Sequence, residues 1–241
     1  MGKLIAVCGS PHSGKTTLAL KLAQEIYFSK KGTSVIFLSP DLETPALGYI
    51  FPNYKGTDLY SMGVALDKTD IYREDILRQF VTVKETEDLV YLGYKLGENK
   101  YSYPELTEDK VLDFISELRE MADYVIVDCT VNENDLISRI AKRDCDKAVQ
   151  IFNPNVQSVV YYISCVNQFL SVTDKRIKVL NIMDNDIYLP GDEIKKCFGE
   201  MDCTVGYSRP LKQQMITGTL YTKIADPKYR AAVKKIAKAV S

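Results

Sequence analysis

The residues with the clearest chemistry stand near the N-terminus, in the run Gly9-Ser10-Pro11-His12-Ser13-Gly14-Lys15-Thr16-Thr17. Two glycines separated by four residues, then Lys and Thr, satisfy G-x-x-x-x-G-K-[ST] at every position. Glycines let the backbone turn so that successive N–H groups point inward at an anion. Lys15 adds positive charge at the outer phosphates of a nucleotide, and the Thr16 hydroxyl is placed to ligate Mg²⁺. A helix starting here would aim its positive end at the same anion. Gly9 to Thr17 therefore reads as a loop for the phosphates of ATP or a close relative. Exposed or not, His12 need lend only its backbone N–H.

Such a loop needs carboxylates to hold the metal and its water. Asp128 ends the apolar run YVIVD, and Asp41 follows VIFLSP. Both fall where open α/β sheets collect their ligands, at the C-terminal ends of strands. Asp128 reads as the metal-holding acid and Asp41 as the group that orients a water. The plainer alternative is a polar residue capping the turn after its strand; spacing alone leaves that alternative open for Asp41.

The elements that must position these groups follow from hydrophobic pattern. Lys3 to Cys8 and Ser34 to Leu38 are apolar throughout, as expected of strands covered on both faces. Between them a helix runs from Gly14 to about Phe28, with Leu18, Leu22 and Ile26 on one face and Gly32 soon after its end. Residues 40–105 are less regular and rich in Gly, Pro and Tyr, with a short strand near Leu89 to Leu92. Thr107 then caps a helix with the stripe Val111, Ile115, Leu118 and Ala122. Strands follow at Tyr124 to Asp128, Ala148 to Phe152, Lys178 to Met183 and Thr204 to Tyr207. A helix carrying Val159, Ile163, Val166 and Leu170 lies among them, and Pro227 opens the last helix. This alternation predicts a doubly wound, mainly parallel α/β sheet flanked by helices, in one domain over residues 1–241.

Composition excludes several classes. The net charge of −1 demands neither nucleic acid nor an anionic membrane. One histidine and six scattered cysteines make a zinc cluster improbable, and suggest reduced, mostly buried thiols. No apolar run is long enough to span a membrane, and the N-terminal run is too short for a signal peptide, so a cytoplasmic protein is expected. The last helix places Tyr229, Ala232, Val233, Ile236, Ala237 and Val240 on one face, with Arg230, Lys234, Lys235 and Lys238 mainly elsewhere. A terminal helix docked on the sheet is favoured over contact with DNA or membrane.

With these residues assembled, the chain resembles the ParA/MinD group of P-loop ATPases over nearly its whole length. That group includes the pilus-assembly accessory ATPases of TadZ/CpaE type, closest in character, and the bacterial tyrosine-kinase domains. The resemblance implies that SPDLETPALGYIF is the motif after strand two, with Asp41 catalytic or at the metal-bound water, and that ADYVIVD is the Walker B strand. It places Asn181, in KVLNIM, where members read the adenine base. It also implies a nucleotide-dependent homodimer, a protein partner not identifiable here, and a slow ATPase switch in positioning or assembly of a cellular machine. Two departures bear on hydrolysis. Ser10 stands where the group carries a second lysine that reaches across the dimer, and Cys129-Thr-Val-Asn-Glu replaces the proline-rich turn after Walker B. A non-hydrolysing ATP-bound scaffold and a DNA-partition ATPase are therefore alternatives. Tyrosine autophosphorylation is disfavoured, because the sixteen tyrosines form no terminal cluster.

Overall fold

The computed structural model describes residues 1–54, 59–167, 172–184 and 189–241. Its strands are β1 (Lys3–Gly9), β2 (Val35–Ser39), β3 (Val81–Thr82), β4 (Leu89–Gly93), β5 (Tyr124–Asp128), β6 (Lys147–Phe152), β7 (Arg176–Asn181) and β8 (Cys203–Val205). They form one sheet in the order β3-β4-β2-β5-β1-β6-β7-β8, parallel except for the β3–β4 pair. The chain runs from β1 outward through β2 to the edge strand β3, returns through β4 to β5 beside β1, and then crosses to β6 on the other side of β1. The crevice beside β1 is thus a topological switch point, where ligands bind in this architecture.

Each central strand buries both faces. Ile5 and Val7 face one layer, Leu4, Ala6 and Cys8 the other, as the two-residue strand period requires. The first layer is built from α1 (Lys15–Ser29) and α10 (Pro227–Val240), the second from α5 (Glu108–Met121) and α6 (Leu136–Asp144). Tyr229, Val233, Ile236, Ala237 and Val240 of α10 are buried in the first layer, in the docked arrangement expected of it. Thr107 caps α5 by accepting from the Lys110 N–H, and the buried stripe gains Phe114.

Several elements lie where hydrophobic pattern shows little. The segment after β2 contains the short helices α2 (Leu47–Ile50), α3 (Met62–Leu66) and α4 (Arg73–Leu77). Asp135 starts α6 by accepting from the Ile137 and Ser138 N–H groups. Ser208 caps α9 (Arg209–Thr217) at one end, and Gly218 closes it at a φ of +66°. The remaining helices are α7 (Val156–Cys165) and α8 (Gly191–Phe198).

One expectation is corrected here. Ile163 is 64% exposed and Val166 40%, so of the predicted stripe of α7 these two do not face the core, whereas Val159 does; Leu170 lies outside the described residues. The helix packs through Val159 and Tyr162 onto Phe152 and Phe198, and through Tyr161 and Cys165 onto the second layer. A helix apolar on most sides offers periodicity no unique inward face.

Candidate functional site

The phosphate loop hangs between β1 and α1. Gly14 sits at a φ of +82° as the residue before the helix, and His12 also takes a left-handed conformation, at +54°. Close approach adds to the need for glycine. A Cβ on Gly9 would stand 2.7 Å from the Ile151 carbonyl oxygen, and one on Gly14 2.6 Å from Asn181 Nδ2. The loop is braced from below by two asparagines at neighbouring strand ends. Asn181 Nδ2 donates to the Ser13 carbonyl at 2.8 Å, and Asn153 Nδ2 donates to the Asn181 carbonyl at 2.9 Å. Ser13 itself is fully buried, and its Oγ has no hydrogen-bond partner.

Lys15 leaves the first turn of α1 and folds back over the loop, donating from Nζ to the Ser10 carbonyl at 3.0 Å. Burial lowers the pKa of its ammonium, while Asp128 raises it. Ser10 is buried, and its hydroxyl lies 3.5 Å from that of Ser158 on α7. It therefore faces inward, and it brings no charge to the loop.

Asp128 ends β5 beside the loop, in register with Val7 of β1. The neighbouring β2 brings Ser39 level with it, and Ser39 Oγ donates to Asp128 Oδ2 at 3.2 Å. Burial raises this carboxyl to about 6; Thr16, Lys15 and Ser39 lower it in part. Asp128 Oδ1 is buried without a hydrogen bond of ordinary geometry. Orphaned buried oxygens of this kind call for a ligand. An acceptor-only oxygen next to the Thr16 hydroxyl is a donor set that suits Mg²⁺ and its water, so the residues present fit the metal.

Asp41 sits just beyond β2, half-buried. Its Oδ1 accepts from the Glu43 and Thr44 N–H groups at 2.9 and 2.8 Å, closing the turn. The carboxyl lies within electrostatic range of Lys15 and Asp128. It thus performs the local turn-capping role while standing at the site's edge. Glu43 ties this turn to the segment after β5 by accepting from Asn132 Nδ2 at 3.1 Å.

The structure brings Gly9 to Thr17, Asp41, Asp128 and Asn181 to one lip of the sheet. Ser39 and Asn153 belong there too and were not expected. Ser39 and Asn153 are polar residues at strand ends, the same signal that marks Asp128. Cys129 continues the β1–β5 ladder by one residue, its N–H donating to the Val7 carbonyl at 2.9 Å; its thiol is buried, which pushes the pKa up. Among the described residues no cluster of His, Cys, Asp and Glu forms a separate metal site, and no helix is long and apolar enough to cross a membrane.

A glycine loop feeding a helix at the switch point of a parallel sheet, with an acid on the adjacent strand, defines the P-loop nucleotide-binding architecture. No family model matches the sequence, and no curated protein matches it. Solved structures match its fold over nearly the whole chain. A ParA family ATPase from Chlorobium tepidum TLS aligns with a TM-score of 0.77 at 14% identity, covering 98% of this chain and 99% of that one. Apo McdA from Cyanthece aligns at 0.74 and 14%, with full coverage of both chains at 100%. The septum site-determining protein MinD from Pyrococcus horikoshii OT3, complexed with Mg-ADP, aligns at 0.73 and 16%, covering 99% and 95%. The chain has the fold of the MinD and ParA ATPases.

Proposed function

We propose that this protein is an ATP- and Mg²⁺-binding ATPase of the ParA/MinD type, acting as a slow nucleotide switch in the positioning or assembly of a cellular machine. The observation that carries the reading is the position of the phosphate loop. Its glycines, Lys15 and Thr16 lie beside Asp128, whose orphaned Oδ1 asks for a metal-bound donor. Backbone N–H groups of residues 9–17 would wrap the phosphates, and Lys15 would leave the Ser10 carbonyl to take up their charge. Thr16 and Asp128 would hold Mg²⁺, which when bound neutralises charge on the transferring phosphoryl group. Asp41 would orient the attacking water with the oxygen not committed to its turn. Asn181 would meet the base beyond the loop, with amide capacity left after bracing Ser13.

The remaining parts of the reading rest on fold likeness and on the sequence resemblance. They are a cytoplasmic location, a nucleotide-dependent homodimer, a protein partner, and a character near the TadZ/CpaE ATPases. A second reading, the non-hydrolysing scaffold, is favoured by one observation: Ser10 faces Ser158 and supplies no cation to a facing subunit. DNA or membrane contact by α10 is not favoured, since its apolar face is already covered.

The experiment is calorimetry of the purified protein with ATP and Mg²⁺, alongside steady-state phosphate release. Wild type should bind, and Lys15→Ala should bind at least tenfold more weakly, on the scale of a lost charge-assisted contact of about 1.5–3 kcal/mol. Equal affinity in both would overturn the assignment. Binding without turnover would select the scaffold.

A further inference from the structure

Helix α7 turns an apolar face to solvent. Its inner side is accounted for: Val159 and Tyr162 pack with Phe152 and Phe198, and Tyr161 and Cys165 lie on the second layer. On the outer side Val156 is 63% exposed, Val160 57% and Ile163 64%, and the half-exposed Val166 follows at the helix end. Spacings of three and four residues make neighbours on a helix surface, so these side chains form one stripe.

The stripe stands out in charge as well as in exposure. From Ala148 to Thr173 the sequence holds no Asp, Glu, Lys or Arg, the longest such stretch in a chain that is 26% charged. That is no surprise in β6, which is buried beyond Lys147, but the outward face of a helix ordinarily carries charge. Each of the other helices of eight residues or more does include charged residues. Gln157, Ser164 and Asn167 beside the stripe are exposed and uncharged, and each can both donate and accept a hydrogen bond. Apolar side chains left in water without charge among them mark the centre of a protein interface.

Charge also selects the occupant. Helix faces that lie on a lipid surface are rich in Lys and Arg on their polar side, and this helix supplies none. A strongly charged partner would find no counter-charge on it. A second copy fits. A neutral stripe does not repel itself, and side chains that both donate and accept are self-complementary, as a two-fold contact requires. Four such apolar side chains supply the centre of an interface whose standard size is about 800 Å² per partner.

We propose that α7 is a two-fold docking face for a second copy of this chain, and that copies pair through Val156, Val160 and Ile163 without nucleotide. The contact does not rest on the ATP·Mg²⁺ reading. Nucleotide-dependent pairing at the phosphate loops would be a separate contact, added to this one. The first turn of α7 meets the loop where the Ser158 hydroxyl lies 3.5 Å from that of Ser10, so the paired helices begin beside the nucleotide site.

Sedimentation equilibrium of the full chain in EDTA, without nucleotide, tests the contact on wild type, Val160→Glu, Ile163→Glu and Ile216→Glu. Wild type should pair with a Kd in the micromolar range or tighter. In a two-fold contact each substitution enters twice, so one glutamate puts two like charges into the apolar centre; either α7 variant should weaken pairing at least tenfold. Ile216 is 72% exposed on α9, and Ile216→Glu should pair as wild type does. Val160→Ser, which adds no charge, should weaken pairing by less, and circular dichroism with thermal melting shows that each variant keeps its fold. Wild type that stays monomeric in EDTA, glutamate variants that pair as tightly as wild type, or an equal loss in Ile216→Glu overturns the proposal. Pairing that appears only with ATP and Mg²⁺, and is lost in Lys15→Ala, also overturns it while leaving the phosphate reading intact. Monomeric wild type that floats with phosphatidylserine-containing vesicles, when Val160→Glu does not, assigns the stripe to a lipid surface instead. Absence of ATP binding in calorimetry, with pairing in EDTA as expected, removes the phosphate reading and leaves the α7 contact standing.

Discussion

Asp128→Asn should stabilise the metal-free protein at neutral pH while removing its response to Mg²⁺. Burial raises the Asp128 carboxyl from an ordinary 3.8 to about 6, against the opposing pull of Thr16, Lys15 and Ser39. The folded state therefore holds the proton more tightly than the unfolded chain does. Between about pH 4 and pH 6 stability falls as pH rises, and above that window the loss is complete. A shift of about two units corresponds to a cost of about 3 kcal/mol at pH 7.5. Asparagine removes the charge at nearly constant shape, and Ser39 can still serve one of its polar atoms. The other replaces an oxygen that already lacks a partner, so about 1 kcal/mol or more of the gain is returned as an unpaired amide. The expected net gain is about 1–2 kcal/mol, or roughly 2–8 °C in Tm for a chain of this size. Urea unfolding in EDTA at pH 4.5, 6 and 7.5 measures it, with ATP calorimetry in Mg²⁺ as the functional arm. Asp128→Asn no more stable than wild type at pH 7.5, with the same slope between pH 4.5 and 6, would refute a buried, charged carboxylate. Retention of the full Mg²⁺-dependent gain in ATP affinity would refute its metal role.

Ser10→Lys should strengthen ATP-dependent dimerisation, read by light scattering, and speed phosphate release, because a cation delivered in trans accelerates such hydrolysis by roughly 10³–10⁵-fold elsewhere. No change in either would show that two loops do not face each other in this protein. Lys21 of α1 offers a pH test away from the site. Its Nζ donates to the Leu220 and Thr222 carbonyls and to Gln24, with no acid beside it, and burial lowers its pKa to about 7. The unfolded chain then binds the extra proton from about pH 7 to 10.5, so wild-type stability should rise with pH across that range and Lys21→Met should flatten the rise. An unchanged slope in urea unfolding would mean the three acceptors keep the ammonium charged in the folded state.

The phosphate loop was legible because its chemistry is local: the glycines, Lys15 and Thr16 follow one another in the chain, and their backbone conformation is a property of those few residues. The strands β1, β2 and β5 were legible because a sheet covered on both faces needs unbroken apolar runs, and Thr107 because a cap acts within one turn. The face of α7 was not, since a helix apolar on most sides fits more than one rotation, and packing on Phe152 and Phe198 chose among them. Nor was the partner of Asp128. Ser39 lies 89 residues away and meets it only because β2 and β5 pair in a particular register. Asn153 and Asn181 meet under Ser13 for the same reason, at the ends of adjacent strands. Sequence alone determined where the glycine loop lies and where strands must be buried. Tertiary structure decided which polar groups share the site, because register and helix rotation are set by contacts between segments far apart in the chain.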